Sequence, residues 1–186
     1  MQFTFDHLGA YKRGRLWLDE SPLLPYSSQS TVEKTFIQKN GLQSSPCRLT
    51  IELVLRAGMI SKYAFIGVTY SPSNEGKLVV KAEVGHENGT IIEDIIALKP
   101  DEVRLGIPEE YITAIVDEIH KLVSDANDLL PSGTLIIHTG AHGLVGSSQM
   151  SFRKAIRVVL NLLTHGDLNN GTEIRDLITK ELNIPF

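Results

Sequence analysis

The period at which apolar side chains recur changes once along this chain, and that change limits the folds open to it. From Arg48 to Val84 the repeat is two: Leu49, Ile51, Leu53 and Leu55 alternate with polar residues, and Leu78, Val80, Ala82 and Val84 do so again. A period of two marks strands with one buried face. Between these runs, Lys62 to Tyr70 is rich in aromatic and β-branched residues and reads as a further strand. Ser71-Pro-Ser-Asn-Glu-Gly76 and His86-Glu-Asn-Gly89 are turn sequences, so 62–84 predicts a hairpin. Ile91 to Leu98 reads as a fourth strand, interrupted by Glu93-Asp94.

After Pro108 the repeat lengthens. Tyr111, Ile112, Ile115, Ile119, Leu122 and Val123 recur at three-and-four spacing, the apolar face of a helix. Pro108 is expected at the first helical position, where its absent N–H would have no partner. Glu109 and Glu110 follow, where the helix dipole favours negative charge. This helix is expected to end near Asp128, with a turn at Pro131-Ser-Gly133 and a short strand over Thr134 to His138. Gly140, Gly143 and Gly146 then predict a loop, and Ser147 or Ser148 caps the next helix. The apolar residues of that helix, Met150, Phe152, Ala155, Ile156, Val159, Leu160 and Leu163, cover more than one face, as in a buried helix. Gly166 to Gly171 is loop, and Ile174, Leu177, Ile178 and Leu182 mark a short C-terminal helix. Strands first, then two helices with a strand between them, predict an α+β fold: a mostly antiparallel sheet with two helices packed on one face.

Residues 1–47 read as an N-terminal extension to a main domain at 48–186. Phe3, Phe5 and Leu8 start a short strand, the Pro- and Ser-rich stretch 19–31 is a connector, Val32 to Gln38 is a strand and Asn40-Gly41 a turn. The extension is expected to add strands to the sheet edge or to wrap the domain.

The bulk numbers exclude several classes. One cysteine, Cys47, rules out an intrachain disulfide and a cysteine-based zinc site, and without a catalytic histidine motif beside it reads as inert or buried. No run reaches the roughly 18–20 apolar residues that span a bilayer, and Met1 to Gly9 lacks the pattern of a secretory leader. The expectation is a cytoplasmic protein with no membrane partner. Net charge is −4, and residues 101–186 hold 7 basic against 12 acidic side chains. Nucleic-acid binders normally carry a basic surplus, because phosphate neutralisation supplies most of their affinity; here any such contact would have to be a local patch.

Two runs resemble a known family. Ile107, Pro108, Glu110, Tyr111, Ile112 and Ala114 stand in the places of the Ile-Pro-x-Glu-Tyr-Ile-x-Ala-Val run of elongation factor G domain IV, with Ile119 matching further on, and Gly140, Val145, Ser147, Ser148, Met150 and Phe152 match its Gly-Ser-Tyr-His-Asp-Val-Asp-Ser-Ser-Glu-Met-Ala-Phe run. The resemblance covers about 48–164. It implies the ribosomal protein S5 domain 2-like fold and, by likeness, a translational role with the ribosome or structured RNA as partner. The tip departs from the family: Gly143 stands in place of the histidine, with His142 its neighbour, Leu144 and Gly146 replace two aspartates, and Gln149 replaces a glutamate. No Gly-x-x-x-x-Gly-Lys-Ser/Thr run is present, so this chain does not itself carry the GTPase.

Several residues admit two readings. The Gly140-Ala-His-Gly-Leu-Val-Gly146 segment is either a phosphate-holding loop at a helix N-terminus or a tight turn that needs glycine. His142 reads as an exposed loop residue and His138 as a strand-end residue with a local hydrogen bond; their spacing does not suit zinc. Arg153, Lys154 and Arg157 form one basic patch and Lys12, Arg13 and Arg15 another; each would meet RNA phosphate or an acidic protein, or simply be solvated. Trp17 either stacks on a base or anchors a core edge. Glu109-Glu110 is explained by its helical turn, and no catalytic triad order stands out.

Three functions follow as expectations. The first is a non-enzymatic protein, without cofactor or metal, that contacts the ribosome or structured RNA through His142, Gly143, Ser147, Ser148, Arg153, Lys154 and Arg157. The second is a protein-interaction or homo-oligomerisation module that has lost RNA binding. The third is a phosphate- or nucleotide-handling enzyme using the Gly140–Gly146 loop.

Overall fold

The chain forms β1 (Gln2–Phe5), β2 (Lys12–Leu18), β3 (Ser28–Ile37), β4 (Cys47–Ala57), β5 (Ile60–Pro72), β6 (Lys77–Gly85), β7 (Val103–Leu105), α1 (Glu109–Ser124), β8 (Gly133–Gly143), α2 (Gln149–His165) and α3 (Gly171–Asn183). These come from a computed structural model that describes residues 1–185 other than 10, 23, 38–44, 58–59, 126–129, 131 and 166–167. The expected turn at Asn40-Gly41, the residues around Asp128 and Pro131 therefore lie outside the described residues.

The fold is α+β, with one mixed, mostly antiparallel sheet in the order β1-β2-β4-β5-β8-β6-β3 and β7 paired to β8. Among the paired strands of the described residues only β6–β8 is parallel, and α1 lies in the connection between those two strands. Residues 1–37 supply strands at both ends: β1 pairs with β2, β2 pairs onto β4, and β3 pairs onto β6.

The alternation seen in the sequence divides the sheet into two faces. Leu49, Ile51 and Leu53 of β4, Ala64, Ile66 and Val68 of β5 and Leu78, Val80 and Ala82 of β6 point into one core. Ile112, Ile115 and Ile119 of α1, Phe152, Ala155, Ile156 and Val159 of α2 and Ile174 and Ile178 of α3 close it from the other side. At about 25 cal/mol per Å² of apolar surface removed from water, this is the main stabilising term. Tyr111 and Phe152 stack at 4.7 Å, so the two segments that carry the family resemblance meet in space.

The opposite face holds a smaller core of Trp17, Val54, Tyr63, Phe65, Val103 and Ala141, covered by Leu24, Ile92, Ile95, Ile96 and Ala97. Here the expected strand at Ile91–Leu98 is corrected. The segment has only an isolated bridge from Ile91 to Arg104 and otherwise crosses the sheet without pairing. Its polar groups are satisfied elsewhere: Ile96 N donates to Glu52 Oε1 at 2.9 Å, and Arg15 donates to Asp94 Oδ1 and to the Asp94 carbonyl, each at 2.7 Å. Glu52 is fully buried and also accepts from Arg15 Nε at 2.6 Å and Tyr63 Oη at 2.9 Å, so both its oxygens are bonded.

Other boundaries shift for local reasons. β3 begins at Ser28, inside the expected connector, because pairing to β6 overrides the low strand propensity of Ser and Gln. Pro108 sits one position before α1, its carbonyl accepting from Tyr111 N and Ile112 N. β8 extends from the expected Thr134–His138 to Gly133–Gly143, since its far half pairs with both β5 and β7.

Candidate functional site at the tip of the sheet

Gly140, His142 and Gly143 are strand residues, which corrects the expected loop. Glycine is required there by crowding, not by turning: a Cβ on Gly140 would run into Ile107, and one on Gly143 into the Asp101 carboxylate. His142 is correspondingly buried instead of exposed, with Nδ1 2.8 Å from the Gly106 carbonyl and its ring 6.1 Å from that of Tyr111.

The true turn is Leu144–Gly146, and every peptide around it is held. Leu144 N donates to the Glu102 carbonyl. Asp101 accepts from Val145 N through Oδ1 and from Gly146 N through Oδ2, both at 2.9 Å. Ser147 Oγ accepts from Gly143 N at 2.9 Å and donates to the Tyr63 carbonyl at 2.8 Å, while Tyr63 N donates to the Gly146 carbonyl at 2.9 Å. Ser148 caps α2 reciprocally: its Oγ accepts from Ser151 N at 3.3 Å and its N–H donates to Ser151 Oγ at 3.0 Å, a capping box closed by serine. The loop N–H groups that a phosphate would use at Val145 and Gly146 are thus bonded to an internal carboxylate.

What this braced turn presents to solvent is apolar. Leu144 is 54% exposed, Val145 76% and Met150 49%, with Leu98 on the adjoining segment also exposed. A contiguous exposed apolar patch marks an interaction surface, and Leu144, Val145 and Met150 lie close in sequence across the turn and the first turn of α2.

The expected cationic residues lie elsewhere and point inward. Arg153 Nη1 approaches Glu118 Oε2 at 3.5 Å, and its Nη2 lies 3.8 Å from Asp117. Arg157 donates to Glu118 Oε1 at 3.0 Å through Nη1 and to Glu181 through Nε. Glu118 is fully buried, so α1, α2 and α3 are tied together by this network. Burial opposes the charge on Arg157, but its bonds to Glu181 and Glu118 outweigh that and raise its pKa. Lys154 is buried, donates to the Ile184 carbonyl and has its pKa lowered by burial and by Arg157. These three side chains form an internal clamp, not an outward patch.

The N-terminal basic group is used in the same way. Arg15 pairs with Glu52 and Asp94, Arg13 donates to the Ile96 carbonyl, and Lys12 reaches Asn183 and the Leu182 carbonyl at the end of α3. Trp17 is buried, tilted against Phe65 with ring centres 5.9 Å apart, and Arg15 lies 5.1 Å over its ring. It anchors the second core.

His138 is the extra residue in a β-bulge: Gly67 and Val68 face Thr139 and Ile137. Its Nε2 and the neighbouring Thr139 Oγ1 are buried without partners, and burial and Arg48 lower the His138 pKa. Cys47 opens β4, its thiol pushed up to about 11 by burial and Asp19. Among the described residues no group of three His, Cys, Asp or Glu side chains converges to hold a metal ion, and no helix is long and apolar enough to cross a membrane.

Sequence reasoning passed over Asp101, Leu144, Val145 and Met150 as functional residues. Two adjacent aliphatic residues inside a glycine-rich turn are a legible signal of exposed apolar surface. The Asp101 contact leaves no local signal. No protein-family model matches the chain, and no curated protein does.

Proposed function

We propose that this protein is a non-enzymatic docking module, built on an S5 domain 2-like scaffold of the kind found in elongation factor G domain IV, that binds a protein partner through the tip at Leu144, Val145 and Met150. The observation that carries it is the contrast between the tip and the cations of α2. At the N-terminal end, exposed aliphatic side chains stand on a turn held by Asp101, Ser147 and Tyr63. Farther along the helix, Arg153 and Arg157 are committed to Glu118 and Glu181. A rigid apolar tip loses little conformational freedom on binding, whereas RNA phosphate requires free cations.

A second reading keeps the ribosome as the partner. It is supported by the two family-like segments, which meet through Tyr111 and Phe152 at the same end of the sheet. In that case the tip contacts a ribosomal protein or a base surface, not the phosphate backbone.

Affinity purification of the tagged chain beside its Val145→Asp variant separates these readings. The docking reading expects a stoichiometric protein partner that survives ribonuclease and high salt and is lost in the variant. Whole ribosomes that co-purify with the native chain, are released by ribonuclease and are lost in the variant would support the second reading instead, and ribosomes retained by both chains would overturn both.

A further inference from the structure

The acidic surplus of the chain is not spread evenly. Residues 86–111 hold seven acidic and two basic side chains, whereas the rest of the chain holds 16 basic and 15 acidic. This segment runs from the end of β6 over the second face to the first turn of α1, and it borders the tip. Asp101 touches the tip turn directly. The His86 backbone, which leads into Glu87, lies against Gly106; the Gly106 carbonyl meets His142 Nδ1, and the His142 ring lies 6.1 Å from Tyr111, whose ring stacks on Phe152 one turn into α2. Glu109 and Glu110 are exposed in the first turn of α1. Of the two cations in the segment, Arg104 is paired with Glu102 at 2.5 Å, which leaves Lys99, with Lys62 on the neighbouring strand.

Resting on the docking reading, we infer that the partner of the tip is a net-positive amphipathic protein segment, with aliphatic side chains that cover Leu144, Val145 and Met150 and flanking lysines or arginines that face the exposed Glu87, Glu109 and Glu110. Complementary charge around an apolar centre steers encounter and rejects acidic partners, and a partner of this chemistry satisfies both halves of the surface. A nucleic acid fails the charged half, since its backbone would meet the acidic rim.

The test titrates the labelled full chain with three probes: a short Leu–Lys amphipathic helical peptide, the same peptide with Glu for Lys, and an RNA hairpin. Amide shifts report the site. The Leu–Lys peptide is expected to perturb residues around 98–102, 109–111 and 144–150, and to bind roughly tenfold tighter than the Leu–Glu peptide. Val145→Asp should remove that binding although it adds negative charge, which isolates the apolar contribution. Glu87→Lys combined with Glu110→Lys should weaken it roughly tenfold. Equal tip binding by the Leu–Glu peptide would overturn the charge assignment and leave the docking reading standing. Tip binding by the hairpin would overturn both. Leu–Lys binding away from the tip, its failure to bind, or Val145-dependent self-association of the chain would each overturn the inferred partner.

Discussion

Asp101 Oδ2 lies 2.9 Å from the Gly146 N–H, across 45 residues of chain. The same carboxylate fills the space that a side chain on Gly143 or Gly146 would need. The acid is therefore part of the turn, and it stands where a bound anion would otherwise sit.

Asp101→Ala should cost about 1–3 kcal/mol, the penalty for leaving the partly buried Gly146 N–H without its acceptor, the exposed Val145 N–H turning to water. Urea unfolding reads the loss, and amide exchange at Val145 and Gly146 should speed up. Gly146→Ala should destabilise the native chain by collision with Asp101, and by less in the Asp101→Ala background. Strict additivity of the two substitutions would mean that they do not share that space.

Glu118 is the buried hinge of the clamp between α1 and α2. Glu118→Ala removes one acceptor from each of Arg153 and Arg157, which keep Asp117 and Glu181, and should lower stability by about 1–3 kcal/mol. A loss within about 0.5 kcal/mol, the range of exposed positions, would mean that the two arginines find solvent freely and are available to a ligand.

Alkaline pH should unfold the protein by way of its tyrosines. Burial raises Tyr26 to about 12, burial with Glu110 raises Tyr111 to about 12, and burial with Glu52 lifts Tyr63 well above its ordinary value. Each phenol keeps its proton longer in the folded chain than in the unfolded one, whose value is near 10. The folded state then binds more protons, so stability is complete below pH about 10 and falls as pH rises towards 12. Urea midpoints across that range should decline, with phenolate absorbance of these three rising together with unfolding. Phenolate formation by all three near pH 10 in a still folded chain would contradict their burial.

Val145→Asp and Leu144→Ser should change stability by no more than about 0.5 kcal/mol, because both side chains are exposed. Their effect on partner binding is then separable from folding. A cooperative loss of structure would mean that these residues belong to the core.

The sequence carried the layers of this fold through short-range pattern. Leu49, Ile51 and Leu53 announce a half-buried strand, and Ile112, Ile115 and Ile119 a helix face, because both periods lie within one element. Ser148 is legible as a cap for the same reason. Arg153, Lys154 and Arg157 are legible as neighbours, but whether they face solvent depends on Glu118 and Glu181, which come from other helices. Arg15 finds Glu52 and Asp94 at separations of 37 and 79 residues, which no local pattern encodes. Gly140 and Gly143 mislead for a physical reason: glycine serves close packing as readily as it serves turns. Ile91–Leu98 misleads because its apolar residues cover a face without joining the ladder.

The docking claim is tested most directly by a photocrosslinker placed at position 145 in the full chain, with a second at Arg175 on the exposed face of α3 as control. The account predicts a discrete protein adduct from position 145, resistant to ribonuclease and absent from position 175. Adducts to RNA from position 145, or the same adducts from both positions, would contradict it.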